Sequence, residues 1–375
     1  MMKIVIASDS FKGSLSSTEV AAAASRGIKS LYPDCQVTSV NVADGGEGTV
    51  EAIVEALGGE IISTTVSDPL MRPIPARYGI ANHTAISEMA AASGLPLLAT
   101  NERNPWHTST YGTGQLIMDA IDRGCRHFLI GIGGSATNDA GTGMLQALGF
   151  RFYDAQDQLI PHCCGATMQA IARIDDSQVP DTIRQSHFII ACDVDTPFCG
   201  KEGAAPVFAP QKGADPDMVQ RLDKGMAAFA QVIEHTYHIH ITPIPGTGAA
   251  GGMGGAFLAF LHATLQPGID MVLDAIHFDQ TIQGADLIIT GEGKIDFQTA
   301  KGKTAAGVLR RAQQQHIPVI AIGGCVEPCP SVEQMGFAAI YPISQLPLPL
   351  DIAMRPDVAA SNVENTIKRI IPSHI

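Results

Sequence analysis

Charge is scarce in this chain. Only 16% of its 375 residues are Asp, Glu, Lys or Arg, and the basic ones are scarcer: 24 Lys and Arg against 37 Asp and Glu give a formal net charge of −13. A nucleic-acid partner requires a basic face to neutralise its phosphates, so that class is excluded. A small anion must instead meet cations placed one at a time. Cysteine pattern is missing too. The eight cysteines fall at irregular spacings, and neither Cys163-Cys164 nor Cys325-x-x-x-Cys329 has the second pair that a zinc site requires. They read as reduced thiols, and a cytoplasmic location is expected. The start Met1-Met2-Lys3 leads into the apolar run IVIA and then Asp9, too short for a secretory leader.

Two catalytic signatures are absent. No G-x-S-x-G elbow occurs, which removes the usual serine hydrolase reading. Lys301-Gly302-Lys303-Thr304 imitates the end of a P-loop, but Phe297 stands where its first glycine must be. His127 and His187 read as structural. Between Glu234 and Asp270 there is no Asp, Glu, Lys or Arg, which superficially resembles a membrane span. Pro243, Pro245, Pro267 and the cluster GTGAAGGMGG argue instead for a buried glycine-rich turn and helix, and no membrane partner is expected.

What is present is a large apolar fraction, 45%, enough for the cores of two domains. Residues 3–8, KIVIAS, form a short β-branched run that reads as a buried parallel strand. Ser16 and Glu19 make a capping box opening an alanine-rich helix that Pro33 ends. A second strand (36–43), the loop Asp44-Gly45-Gly46-Glu47-Gly48-Thr49 and a helix closed by Gly58-Gly59 follow. From about Thr64 the texture becomes hairpin-like. After residue 285 the strand–loop–helix pattern returns three times, in DLIITG, PVIAIGG and AAIYPIS. Two such units before and three after predict a flavodoxin-like, doubly wound, parallel five-stranded sheet, residues 1–65 and 285–375, interrupted by an inserted α/β domain, residues 66–284. A hinge between the two, with the site in the cleft, is part of that expectation.

Residues 128–149, FLIGIGGSATNDAGTGMLQALG, read as strand, loop and helix N-terminus, a turn that aims free N–H groups at an anion. Gly133 and Gly134 allow close approach, Ser135, Thr137 and Asn138 offer hydrogen bonds, and Asp139 is a possible cation ligand. Gly131-x-Gly133-x-x-Ala136 also fits a dinucleotide fingerprint, and a plain turn with no ligand stays open. Further charges sit at the expected carboxyl ends of strands, where open α/β sheets bind ligands: Asp9 and Lys12; Asp44 and Glu47; Asp193 and Asp195; Glu292, Lys294 and Asp296. Glycine-rich loops, carboxylates able to hold Mg²⁺ and a few lysines are the parts of phosphoryl transfer.

The blocks DSFKGSLSS (9–17), VADGGEGTVEA (42–52), EMAAASGLPL (88–97), GIGGSATND (131–139), VFAPQKGAD (207–215), GAAGGMGGA (248–256), LQPGID (265–270) and DLIITGEGKID (286–296), in this order along the whole chain, resemble the bacterial glycerate kinase family. Small departures are Ala140 and Thr247 where glycine and a small residue are expected, and Lys294 where Arg is commoner. The resemblance implies ATP-dependent phosphorylation of D-glycerate in organic-acid catabolism, with 2-phosphoglycerate favoured over 3-phosphoglycerate.

On that footing the ATP phosphates are expected at Gly133, Gly134, Ser135, Thr137 and Asn138. Glycerate is expected among Asp9, Ser10, Lys12, Arg103 and Lys212, and the chemistry among Asp193, Lys12, Asp44, Glu292 and Lys294, with Asp193 nearest the reacting hydroxyl. Mg²⁺ is expected at Glu47, Asp195 or Asp139. A monomer or homodimer is expected. Two competing classes remain at this point: a nicotinamide-dependent hydroxyacid oxidoreductase and a non-catalytic nucleotide- or acid-sensing protein.

Overall fold

A computed structural model describes every residue except Met1, Glu47 and residues 345–347. In chain order its strands are β1 (Lys3–Ser8), β2 (Gln36–Asn41), β3 (Glu60–Ser67), β4 (Pro73–Ala81), β5 (Thr84–Glu88), β6 (His127–Gly131), β7 (Arg151–Tyr153), β8 (Arg173–Asp175), β9 (His187–Ala191), β10 (Thr264–Gln266), β11 (Leu287–Ile295), β12 (Val319–Val326) and β13 (Ala339–Pro342). The chain divides into two compact units, residues 1–44 with 269–375, and residues 45–268.

The first unit carries a sheet in the order β2-β1-β11-β12-β13, every neighbouring pair parallel. That is the flavodoxin-like order, with the reversal of direction between β1 and β11. The strands are β-branched and buried because helices cover both faces. Ile4, Ile6, Leu287, Ile289, Ile320 and Ile322 form the core with Val20, Ile28, Val363 and Ile367 from the helices Ser17–Leu31 and Pro356–Ile370. The capping box is formed: the Ser16 hydroxyl accepts from the Glu19 amide, and the Glu19 carboxylate accepts from the Ser16 amide.

The second unit holds a mixed sheet, β10-β9-β6-β5-β4-β3, parallel as far as β5 and antiparallel beyond, as the hairpin texture suggested. His127 and His187 stack on each other from neighbouring strands, ring centroids 5.2 Å apart, a structural use of both. The glycine-rich stretch forms the helix Ala249–Leu261, whose first turn breaks through left-handed Ala250, Gly251 and Gly252. Among the described residues no helix is long and apolar enough to cross a membrane.

Both boundaries fall earlier than the texture of the sequence suggested, at 44/45 and 268/269 in place of 65/66 and 284/285. Pairing explains the first shift: β3 joins β4 along its whole length, and Val50 and Val54 of the helix Thr49–Leu57 pack over Gly79 of β4. Packing explains the second, since Ile269 fills the space beside Gly307, and Arg311 pairs with Asp274 and Asp279.

Candidate active site

Each unit presents one polar seat at the carboxyl ends of its strands. In the first unit, β1 leads directly into Asp9 and β11 carries Glu292, so the reversal of strand order sets two carboxyl groups at the ends of adjacent strands. Both face the N-terminus of the helix Thr304–Gln314. The Thr304 hydroxyl donates to Asp9 Oδ2 (2.9 Å), and the Ala305 amide donates to Glu292 Oε1 (2.9 Å). A helix N-terminus favours anions, which accounts for the placement.

It does not make the two carboxyls comfortable. Burial drives the Glu292 carboxyl up to about 7; the Ala305 amide and the Lys303 ammonium oppose this, while Asp9 and Asp44 add to it. Asp9 is likewise raised, first by burial and then by Asp44, against the Thr304 and Ser10 hydrogen bonds and Lys12. Asp9, Ser10, Lys12, Asp44, Glu292 and Lys303 line a cavity of about 360 Å³, together with apolar Phe11, Ile343, Leu350 and Met354. Lys294 reaches this cavity, but its ammonium is engaged by Asp296 (3.3 Å) and Glu327 (2.8 Å) at the surface, which weakens its case as a catalytic cation.

In the second unit, β6 runs into a loop whose Gly133 and Gly134 are exposed. A Cβ on Gly133 would meet nothing within 4 Å, and one on Gly134 only Ala90 Cβ at 3.5 Å, so the loop has open space before it. Gly134 has φ +74°, a left-handed conformation that favours glycine. Ser135, Thr137 and Asn138 are buried, and Thr137 Oγ1 and Asn138 Oδ1 have no hydrogen-bond partner. Behind them Lys212 is fully buried, its Nζ donating to Ser135 Oγ (2.6 Å) and to the Thr137 carbonyl (2.7 Å). Burial pulls the Lys212 ammonium down to about 7, against the nearby charge of Asp139.

Several expected roles change here. The helix does not begin at the loop: it spans Thr142–Ala147, and its first free amides are already taken. Asp139 Oδ1 accepts from Gly141 N, while Oδ2 accepts from Thr110 N, Thr110 Oγ1 and Gly143 N. With four donors and no exposure, Asp139 is the peg that shapes the loop and has no oxygen left for a cation. A helix dipole aimed at residues 133–138, and the dinucleotide reading that also required one, are therefore withdrawn.

The second glycine cluster is the loop's backing. A side chain on Gly251 would strike the Thr137 carbonyl at 2.2 Å, and the Ala140 amide donates to the Gly251 carbonyl. Ala140, where the family resemblance led to an expectation of glycine, has φ +54°.

Asp193 and Asp195 lie exposed just past β9, and Asp193 Oδ1 accepts from the Gly268 amide (2.9 Å). Arg103 is half-buried with its Nε unpartnered, and its carbonyl lies against Gly213, next to Lys212. Glu47 lies outside the described residues. Among the described residues no three His, Cys, Asp or Glu side chains gather closely enough to hold a metal by themselves. Sequence reasoning missed Lys303, Thr304 and the Ala305 amide. Their signal was the Gly302-Lys303-Thr304 fragment, set aside because the full P-loop was absent.

Fold and seats together describe a two-unit α/β protein with paired carboxyls at one set of strand ends and an open glycine-rich loop at the other. Comparison with known proteins narrows the class. The glycerate kinase family matches residues 4–374. A Bacillus cereus glycerate kinase is 47% identical over 372 residues, 98% of this chain and 97% of that one. An Escherichia coli K12 glycerate 2-kinase is 43% identical, covering 94% and 93%. A crystal structure of a Salmonella typhimurium LT2 protein assigned as glycerate kinase 2 superposes with a TM-score of 0.91 at 44% identity, covering 99% and 98%. The chain belongs to the glycerate kinase family and is a kinase.

Proposed function

We propose that the protein phosphorylates D-glycerate from ATP and releases 2-phosphoglycerate and ADP, in a cytoplasmic setting. The observation that carries the reading is the acid pair Asp9 and Glu292 on the helix N-terminus at Thr304, with Lys12 and Lys303 lining the same cavity. A base for a substrate hydroxyl works best when it titrates near the working pH, and Glu292, pushed up to about 7, meets that requirement. In this reading the hydroxyl proton passes to Glu292 as the hydroxyl oxygen bonds the γ-phosphorus, and the bond to the β-phosphate oxygen breaks. Glu292 replaces Asp193 as base, because Asp193 is exposed and already holds the Gly268 amide. Lys12 neutralises the glycerate carboxylate, and Arg103 stays a second candidate. The open amides of Gly133 and Gly134 and the hydroxyl of Ser135 take ATP phosphate. The name of the Escherichia coli relative supports 2-phosphorylation.

Mg²⁺ fits the donor chemistry of the first seat. Asp9 and Asp44 offer carboxylate oxygen beside the base, and a cation there would offset the burial and the Asp44 charge that raise Asp9. Mg²⁺ keeps waters and shares substrate phosphates, so a few carboxylates from the protein are enough to seat it. It would neutralise the charge of the transferring group.

The test is ADP release from ATP with and without D-glycerate, with the product assigned by ³¹P NMR. Glycerate-dependent ADP release with a 2-phosphoglycerate signal is expected. A 3-phosphoglycerate signal would overturn the regiochemistry, and no glycerate dependence would overturn the substrate.

A further inference from the structure

Lys212 sits 77 residues from Ser135 in the chain and directly behind the loop in the fold. Its surroundings are unusual for an ammonium. Both partners, the Ser135 hydroxyl and the Thr137 carbonyl, are neutral, and it has no ion pair among the described residues. The charged groups on the elements around it are Asp139 in the loop, Arg103 in the segment against Gly213, and Asp215, which caps the helix Pro216–Tyr237. Of these, Asp139 is the one that acts on the Lys212 charge, and four donors already hold it. A buried ammonium in such a place sheds its proton far more easily than in water.

The hydrogen-bond polarity gives this a consequence. A charged ammonium has three donors and no acceptor. While Lys212 is charged, Ser135 Oγ must accept from Nζ, and the Ser135 hydrogen is free to be donated elsewhere. When Lys212 is neutral, its lone pair can accept the Ser135 hydrogen, so the loop loses the positive charge behind it and its Ser135 donor is no longer held outward.

We infer that Lys212 is a positioning residue which ties the phosphate seat to a proton: an anion on residues 133–138 and a proton on Lys212 each favour the other. The inference rests on the proposed seating of ATP phosphate on this loop. It moves Lys212 from the expected substrate contacts to a place behind the nucleotide seat. Its titration near 7 puts the coupling in the physiological range.

The experiment is calorimetric binding of ATP to the full chain, with D-glycerate left out so that no phosphoryl group is transferred, between pH 7.5 and 9, where the ATP phosphates are almost fully ionised. Buffers of different ionisation enthalpy count the protons. Binding is expected to take up a fraction of a proton near pH 8, and affinity to fall with rising pH, by at most about tenfold per unit. Lys212→Met is expected to bind more weakly with no pH slope and no proton uptake. Ser135→Ala, a milder change, is expected to lose most of the slope and several-fold in affinity. Wild-type binding without proton uptake, or a slope retained in Ser135→Ala, overturns the inference. Should Lys212→Met fail to fold, the wild-type proton count and Ser135→Ala decide. Binding unaffected by Gly134→Val shows instead that the nucleotide is not on this loop, a failure of the seating and separable from the first.

Discussion

The two seats bury opposite charges, and burial acts on both to the same end. Glu292 is driven up to about 7 and Lys212 down to about 7, each toward its neutral form. The difference lies in what opposes burial. Glu292 has a helix N-terminus and Lys303 against it, whereas Lys212 has neutral acceptors and the charge of Asp139. A carboxyl so placed is a proton acceptor ready for chemistry. An ammonium so placed is a prop whose charge depends on what binds in front of it.

The largest effect that would separate these roles is on turnover. Glu292→Gln keeps shape and the Ala305 hydrogen bond but removes the base, so kcat should fall by about 10²-fold or more with a small change in KM for ATP. Steady-state kinetics at pH 8 check this, and a variant that is folded and retains most of its kcat removes Glu292 as base.

Next comes stability against pH, where the two groups must slope in opposite directions. The Glu292 pKa is raised from 4.5 to about 7 on folding, so its contribution is complete below 4.5 and lost as pH rises through 7. Glu292→Gln should therefore gain on the wild type above pH 7, by on the order of 3 kcal/mol, and not at pH 4.5. The Lys212 pKa is depressed from 10.5 to about 7, so its contribution is complete above 10.5 and lost as pH falls toward 7. Lys212→Met should gain below pH 7, and the gain should shrink toward pH 10. Denaturant melts across pH 5–10 test both, and parallel slopes would break the comparison.

Gly134→Val places a branched side chain at φ +74°, in the open space before the loop, and should raise KM for ATP by about tenfold or more. An unchanged KM would remove phosphate from this loop. Smaller still is a contrast within the first seat. Lys12→Ala should raise KM for glycerate by about tenfold, the scale of a placed ion pair, whereas Lys294→Ala, already engaged by Asp296 and Glu327, should change it by less than about twofold. Equal effects would show that the surface pairs of Lys294 open on binding. The smallest effect is at Ala140. Ala140→Gly relieves the cost of a left-handed alanine at φ +54° and should stabilise the protein by about 1 kcal/mol or less, read from the denaturation midpoint.

Most of the fold was legible because its signals are local. β-branched runs bounded by polar loops located β1, β11 and β12, and Ser16 with Glu19 located a helix start. The boundary at 44/45 was not legible, since β3 alone says nothing about the partner it pairs with. Among the carboxyls that the strand-end rule picked out, Asp9 and Glu292 meet at one helix N-terminus. Sequence reasoning misjudged Asp139, because a loop carboxylate that caps neighbouring amides and one that waits for a cation look alike in sequence. It also passed over Thr304, whose motif was incomplete.

By itself the sequence determined the strands, the glycine-rich loops and the family, all written in short stretches of neighbouring residues. Tertiary structure alone decided which charges lose their water and what then faces them. Ser135 and Lys212 meet across 77 residues, and Asp9 and Thr304 across 295. The desolvation of a side chain and the set of its partners are sums over residues brought together from distant parts of the chain, so titration near neutrality could not be read at Glu292 or Lys212 before the chain was folded.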